Sequence, residues 1–289
     1  MTAISKRQHS QGVFLLILTT AIWGTSFPVL KGVLSDLPAP TILASRFLIA
    51  AIVFSPYLRQ LNAKLLRDGA ILGTLYFAAC LSALIGLETI SANRSAFLIS
   101  LNVILVPLFS TILGRDLPRR ILVAVGIAIA GISILSWEGG GFGIGDALTL
   151  GCAIIYAIYI LAMEAITPRH LTLPLVAVQL TVAAFLAIGW VILHRNTSFA
   201  GIAVHFNILL YVGVMITAIP NWTQTLAQRW VRASEAALLY TLEPVFASIF
   251  SFLWLNESLG VRGFLGAALI LSATLISQLP LNSLFDKRH

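Results

Sequence analysis

Long runs of apolar residues follow one another along the chain, and only short polar segments separate them. A transmembrane helix needs about 20 mostly apolar residues, and ten runs approach that length. Their apolar character is continuous, whereas the strands of a membrane β-barrel alternate. The runs are 11–30, 41–58, 69–87, 95–113, 121–136, 147–163, 174–193, 207–227, 236–254 and 264–279. We therefore predict an all-α integral membrane protein with ten transmembrane helices.

Composition supports this interpretation. Of the 289 residues, 58% are apolar and 10% are charged, and the mean hydropathy is +0.95. A soluble domain is about 45–50% apolar and about 25% charged. The pattern excludes a soluble enzyme, a disordered chain, a disulfide scaffold and a nucleic-acid-binding protein. Cys80 and Cys152 lie inside apolar runs and are expected to be ordinary core residues.

The basic residues predict an orientation. The net charge is +7, and the charges lie in short loops, where they suit anionic headgroups better than nucleic acid. The loops on the side of both termini carry thirteen Lys and Arg residues, and the loops on the other side carry four. Positive residues concentrate in cytoplasmic loops. We predict a protein of the cytoplasmic (inner) membrane with both termini in the cytoplasm, and we interpret the first run as a helix rather than a cleaved signal peptide.

An internal repeat is visible. Residues 92–117 align with 233–258 without a gap at a shift of 141, with six identical positions. Each half has five helices, so the second half must insert upside-down relative to the first. Inverted repeats with a site at their interface are typical of transporters. The predicted units are a first five-helix repeat at 1–137, a connecting loop at 138–146 and a second five-helix repeat at 147–289.

The same residues resemble a known family. WGTSFP in the first run, LETISANRSAFLISLNVILVPLFSTILGRDL from position 87, and its echo VRASEAALLYTLEPVFASIFSFLWLNESL from position 231 are similar to the EamA-type family of the drug/metabolite transporter superfamily. The resemblance covers essentially the whole chain. It implies a ten-helix inner-membrane carrier, often an exporter of amino acids or other small metabolites, with a central cavity between the halves. No catalytic residue carries over from this family.

Two formal charges, Arg46 and Glu243, lie inside the ten runs. A charge inside a bilayer costs at least about 2.5–3.5 kcal/mol, so each needs a partner or a wet cavity. Glu243 suits substrate contact, proton transfer or a purely structural role, and the repeat aligns it with Asn102. Arg46 lies near a helix end and aligns with Gln179 at a shift of 133. Arg46 suits contact with an anionic substrate group, a structural role or snorkelling to the headgroups, and we favour one of the last two.

Helical spacing places polar residues on shared faces. Thr217, Asn221, Gln224 and Gln228 form one stripe of the eighth run, which we name the helix 8 stripe. The repeat aligns it with Tyr76, Cys80, Ala83 and Leu87, the helix 3 stripe. Four aligned polar groups favour a wet or substrate-filled cavity over hydrogen bonds between helices, which average about 0.6 kcal/mol each.

Aromatic side chains near the middle of the runs complete the predicted site. Aromatic residues at helix ends mark the membrane interface, whereas these suit either a substrate path or simple packing. The predicted substrate-binding and cavity residues are Trp23, Tyr76, Asn102, Tyr156, Tyr159, Thr217, Asn221, Gln224, Tyr240 and Glu243.

Prolines and small residues raise two further alternatives. Pro28, Pro107, Pro220 and Pro244 lie inside runs, where each removes a backbone donor. They are compatible with hinges or with static kinks. The last run of each half carries small residues, such as Gly131 and Gly266, that allow close helix contact. These suit either scaffold packing or self-association as a homodimer.

The sequence lacks GxxxxGK[ST], HExxH and GxSxG, and its five histidines lie in loops or tails. We therefore expect no cofactor, no metal site and no enzymatic activity. The prediction is a secondary transporter that moves a small organic metabolite, amino-acid-like or related, by alternating access. A proton or counter-substrate gradient drives it, and export is the direction that the family resemblance implies. The alternatives are an intramembrane lipid-modifying transferase and a non-transporting membrane sensor.

Overall fold

The computed structural model describes residues 5–59, 61–90, 92–115, 119–136, 142–194, 199–255 and 260–278. Within these ranges the regular structure is entirely helical. The α-helices are α1 (Lys6–Gly24), α2 (Ser26–Leu34), α3 (Ala39–Phe54), α4 (Ala63–Thr89), α5 (Ala92–Ser100), α6 (Asn102–Ile112), α7 (Arg119–Ser136), α8 (Ile144–Ile166), α9 (Thr172–His194), α10 (Phe199–Val204), α11 (Phe206–Tyr211), α12 (Ile219–Ala227), α13 (Ala233–Tyr240), α14 (Glu243–Leu255) and α15 (Gly260–Gln278).

The predicted all-helical membrane fold is confirmed. Each of the ten apolar runs falls on one helix or on helices that follow each other directly. In the described part of the chain, seven helical segments are long and apolar enough to span a membrane, and 121–134 and 261–276 are shorter apolar helices. The helix α8 begins at Ile144, so the predicted connecting loop ends before 146, and residues 138–141 of that loop lie outside the described residues. Parts of the two quoted family segments, at 116–117 and 256–259, also lie outside them.

Several spans are interrupted near their middle. Thr25 separates α1 from α2, and Leu101 separates α5 from α6. A two-residue break lies between α13 and α14, and Val212–Ala218 is wound as a π-helix before α12.

One proline explains a local hydrogen bond. Pro220 lacks an N–H, so the carbonyl of Ile216, four residues earlier, has no partner within its own helix. The indole Nε1 of Trp23 donates to that carbonyl at 3.1 Å. A side chain of the first span therefore bonds to the backbone of the eighth span beside its proline, as expected where prolines lie within membrane helices.

Helix packing follows a pattern that persists when the two halves are exchanged. The helix α4 packs along α8, and its counterpart α12 packs along α1. The helix α3 also packs along α9, and α7 packs along α15. The two helices of each of these pairs occupy equivalent places in the two halves, so the exchange leaves both pairs unchanged. A Cβ atom added to Gly131 would come within 2.9 Å of the Gly266 carbonyl, so this small-residue face serves as packing within the chain.

Ion pairs and hydrogen bonds define two ends of the helix bundle. At the terminal end, His9 of α1 pairs with Glu235 of α13. At the opposite end, which we name the hairpin end, Arg94 of α5 pairs with Asp146 of α8. Lys31, at the end of α2, donates to the Leu87 carbonyl at 2.6 Å on the same side. Consecutive spans therefore run in opposite directions.

Candidate functional site

A cavity of about 110 Å³ lies among the first four spans and the sixth, eighth and ninth. Its wall is mainly apolar and aromatic, with a few polar and charged side chains, as is typical of small-molecule sites. The lining residues are Trp23, Ser26, Phe27, Leu30, Arg46, Tyr76, Ala79, Cys80, Ala83, Leu84, Leu87, Ser95, Ile99, Cys152, Tyr156, Ile216 and Glu243.

The cavity lies in the half of the bundle nearer the hairpin end. On α4, which runs towards that end, the wall begins at Tyr76 and continues to Leu87. On α5, which starts at that end, it includes Ser95 and Ile99. The half nearer the terminal end lies beneath the cavity floor.

Aromatic rings from four spans form the floor and one wall. The ring centroids of Trp23 and Tyr240 are 5.5 Å apart, and those of Trp23 and Tyr156 are 6.0 Å apart in an edge-to-face arrangement. Tyr159 joins Tyr156 at 5.5 Å and stacks on Tyr76 at 5.5 Å. The structure thus brings together all five aromatic residues predicted for the site. Trp23, Tyr76 and Tyr156 line the cavity, and Tyr159 and Tyr240 support them from behind.

Arg46 lies in the cavity wall, and sequence analysis did not include it in the site. Its side chain is only 6% exposed, so it does not extend along the outside of the bundle towards headgroups. The Nε atom donates to Thr217 Oγ1 at 2.9 Å, and the guanidinium carbon lies 5.4 Å from the centre of the Phe47 ring. Among the described residues the two Nη nitrogens donate to no protein group, so they remain available to a ligand.

Glu243 is the second charge in the cavity wall. It is the first residue of α14, where the helix N-terminus favours a negative charge. Within the described part of the chain its carboxylate forms no ion pair and accepts no hydrogen bond. One cavity wall therefore carries the guanidinium group of Arg46 and the carboxyl group of Glu243, both with free hydrogen-bonding capacity among the described residues.

The helix 8 stripe lies one layer behind the cavity. Its four side chains are at most 1% exposed. Gln224 Nε2 donates to Tyr156 Oη and to Gln228 Oε1, both at 3.1 Å, and Gln228 Nε2 donates to the Ile160 carbonyl at 3.1 Å. In this conformation the stripe is bonded to other helices, whereas the sequence favoured a wet surface.

The remaining predicted residues are buried close by. Gln179 donates to Tyr159 Oη at 2.8 Å and also to the Asn221 side-chain oxygen. Asn102 is 2% exposed and does not line the cavity. Gln179 was not predicted for the site, although its alignment with the intramembrane Arg46 was a usable signal. We name the group Tyr156, Tyr159, Gln179, Asn221, Gln224 and Gln228 the polar seal.

Comparisons with known proteins identify related chains. The family model of the EamA-like transporter family matches residues 10–137 and, a second time, 143–278. An "Uncharacterized transporter" from Archaeoglobus fulgidus is 31% identical over 91% of this chain and 84% of its own length. The "Uncharacterized transporter YvbV" from Bacillus subtilis is 26% identical over 90% of this chain and 88% of its own length.

A solved structure shares the fold. It is described only as "Crystal structure of protein" and superimposes with a TM-score of 0.80, covering 96% of this chain and 99% of that chain at 18% identity. At that identity the likeness concerns the fold alone.

Proposed function

Because this chain belongs to the EamA-like transporter family, a family of membrane transporters, we propose that it is a secondary transporter for a small organic metabolite. The observation that carries the proposal is a cavity inside the bundle that contains both Arg46 and Glu243. Burying two charged groups that form no ion pair with described residues is costly, and a purely structural role does not offset that cost. A substrate that pairs with them offsets that cost.

The substrate class follows from the two charges. Arg46 offers planar Nη donors that match a carboxylate. Glu243 offers an acceptor for an ammonium group. We propose that the substrate carries both groups, as an amino acid or a related zwitterion does. The rings of Trp23 and Tyr156 and the thiol of Cys152 leave an apolar surface for its remaining part.

The transport cycle is alternating access between two inverted five-helix repeats, 1–137 and 147–289. The helix pairs α4–α8 with α12–α1, α3–α9 and α7–α15 support this division, because exchanging the two halves maps these pairs onto one another or onto themselves. The structure corresponds to the state with the cavity offset to the hairpin end and the terminal end sealed. With both termini in the cytoplasm of an inner-membrane protein, that state faces outward, and export is the proposed direction.

A gradient supplies the energy, since the sequence has no nucleotide-binding motif. Either a proton or a counter-substrate is compatible with the site. In the first case Glu243 carries the proton, and in the second it only pairs with the substrate ammonium. Glu243→Gln separates the two, because the variant cannot titrate but keeps the size of the side chain.

The test uses the purified chain in proteoliposomes. A thermal-shift panel of zwitterionic, anionic, cationic and neutral metabolites first identifies ligands, and radiolabelled counterflow then measures transport of the best zwitterion. We expect zwitterions to stabilise the protein and to exchange across the bilayer. Stabilisation by neutral compounds only, or binding without any exchange, contradicts the proposal. If Glu243 couples protons, Glu243→Gln loses flux driven by a pH gradient and still exchanges the zwitterion when its concentration is raised to saturate the weakened site. If Glu243 only pairs with the ammonium, exchange falls together with binding, and the pH gradient has no separate effect.

A further inference from the structure

A second cavity opens at the terminal end, where α3 ends, α9 begins and α12 ends. Its volume is about 510 Å³, and it shares no lining residue with the central cavity. Its walls combine two arginines, Arg59 and Arg229, with the aromatic residues Tyr57 and Trp222 and with aliphatic side chains such as Leu171. The transport cycle described above makes no use of it.

The charge of this cavity is positive and uncompensated. Arg59 is exposed and has no protein partner among the described residues. Arg229 is held in place, because its Nη1 donates to the His170 carbonyl and to Thr172 Oγ1, both at 3.1 Å. None of the lining residues is acidic. The nearby Asp68 already accepts hydrogen bonds from His170 at 2.8 Å and from Arg67 at 3.3 Å.

The apolar part of the wall is exposed to the surroundings of the bundle. Leu171 is 66% exposed, Tyr57 is 42% exposed and Trp222 is 38% exposed. Exposed aromatic residues at a helix end are typical of the membrane–water interface. A site for a soluble anion does not need such a surface, whereas an acyl chain beside a phosphate does.

We propose that this cavity binds an anionic phospholipid, with its phosphodiester between Arg59 and Arg229 and its acyl chains against Leu171 and Trp222. Basic pockets between transmembrane helices recognise anionic headgroups in this way. The hydrogen bonds of Arg229 hold it in place as an oriented contact, and the exposed side chain of Arg59 supplies a second cation for the headgroup. The bound lipid bridges the third, ninth and twelfth helices at the sealed end of the transporter.

Native mass spectrometry of the full chain in detergent tests this proposal. Phosphatidylglycerol is titrated against the parent protein, with phosphatidylcholine of the same acyl chains as the neutral lipid. We expect a bound phosphatidylglycerol at concentrations where phosphatidylcholine leaves the protein unoccupied. Arg59→Gln should weaken phosphatidylglycerol binding about fivefold, since a basic residue near anionic lipid contributes about 1 kcal/mol.

Arg169→Gln is the matched control, because Arg169 is an exposed arginine at the same end of the bundle that does not line the cavity. It should bind phosphatidylglycerol like the parent. Equal weakening in both variants indicates diffuse surface charge and overturns the proposal. Unchanged binding in Arg59→Gln, or equal binding of the two lipids, also overturns it. Displacement of phosphatidylglycerol by inorganic phosphate alone would assign the cavity to a soluble anion instead.

Discussion

The helix 3 stripe and the helix 8 stripe occupy positions that the repeat predicts to be equivalent, yet they do opposite things in this conformation. The helix 3 stripe lines the central cavity along its whole length. The helix 8 stripe is buried and bonded within the polar seal. One repeat therefore contributes an open surface while the other contributes the closure beneath it, which is the asymmetry that alternating access requires of two similar halves.

The chemistry of the two stripes differs as well. Amides and hydroxyls in the seal can exchange their partners for water at modest cost, because a typical hydrogen bond contributes a net 0.5–1.5 kcal/mol. The helix 3 stripe is aromatic and aliphatic apart from Cys80, and its burial is favoured by about 25 cal/mol per Å². In the proposed cycle we therefore expect the terminal end to open into water and the hairpin end to close by hydrophobic contact.

The largest effect on substrate binding is expected at the two charged residues of the central cavity wall. We expect Arg46→Gln and Glu243→Gln each to weaken binding of the zwitterion identified in the thermal-shift panel by at least about 2 kcal/mol, which is about 30-fold. Removing either charge leaves the oppositely charged group of the bound zwitterion without its partner in the cavity. Isothermal titration of the purified protein measures the loss.

Glu88→Gln and Arg169→Gln serve as controls for these two variants. Both residues are exposed and neither lines the cavity. They should bind the zwitterion like the parent. Parent-like binding in Arg46→Gln and Glu243→Gln would show that the charges are structural and that the cavity is not the binding site.

The sequence predicted the number, positions and type of the membrane helices, because long apolar runs have few alternatives in a bilayer. It also grouped the right aromatic residues, since one continuous series of ring contacts joins Trp23, Tyr76, Tyr156, Tyr159 and Tyr240. Periodicity marks a polar face but does not tell whether water or another helix covers that face. Both outcomes satisfy the same hydrogen-bonding groups.

The second expected effect concerns the stability of the polar seal. Gln224→Leu leaves Gln228 and Tyr156 without their partner, and we expect it to destabilise the fold by about 1–3 kcal/mol. Ala83→Leu changes the predicted equivalent on the helix 3 stripe, where the cavity offers room, and should cost less. Thermal denaturation in detergent, followed by tryptophan fluorescence, compares the two. A larger loss of stability in Ala83→Leu would mean that the helix 3 stripe is the packed surface and the helix 8 stripe the open one.

Cysteine labelling sharpens the same comparison without a known substrate. Cys80 is half-buried and lines the cavity, whereas Asn221 is 0% exposed. In single-cysteine proteins, Cys80 should react faster with a small hydrophilic thiol reagent than a cysteine introduced by Asn221→Cys. Equal rates would indicate that the terminal end is open in a large share of the molecules.

Arg46 shows where sequence reasoning reached its limit. An arginine near the end of an apolar run satisfies the snorkelling rule, and only the packing of α3 against the π-helical turn reveals its partner. Thr217 Oγ1 accepts from Arg46 and itself donates to the Val212 carbonyl at 2.8 Å, five residues earlier. A π-helical turn has no simple sequence signal, so this contact could not be derived from the spacing of residues.

The smallest expected effect lies in the ion pairs at the two ends. Arg94 Nε and Asp146 Oδ1 are 2.5 Å apart, and the Asp146 side chain is 3% exposed. His9 Nε2 and Glu235 Oε2 are 3.0 Å apart, the His9 side chain is 37% exposed, and the pair is fully charged only when the imidazole is protonated. We expect Asp146→Asn to cost about 1–3 kcal/mol of stability. For His9→Ala we expect less than about 1 kcal/mol.

Labelling of Asn221→Cys separates a gate from a simple structural contact. If the His9–Glu235 pair holds the terminal end closed, His9→Ala should speed that labelling, while Asp146→Asn should not, because it weakens the opposite end. The labelling rates of the two variants are more informative than their losses of stability. Even a small loss of free energy at a closed end raises the population of the open state by the corresponding Boltzmann factor. An unchanged labelling rate in both variants would show that the polar seal alone sets access from the terminal end, and acceleration by Asp146→Asn would show that the His9–Glu235 pair is not the specific restraint on that end.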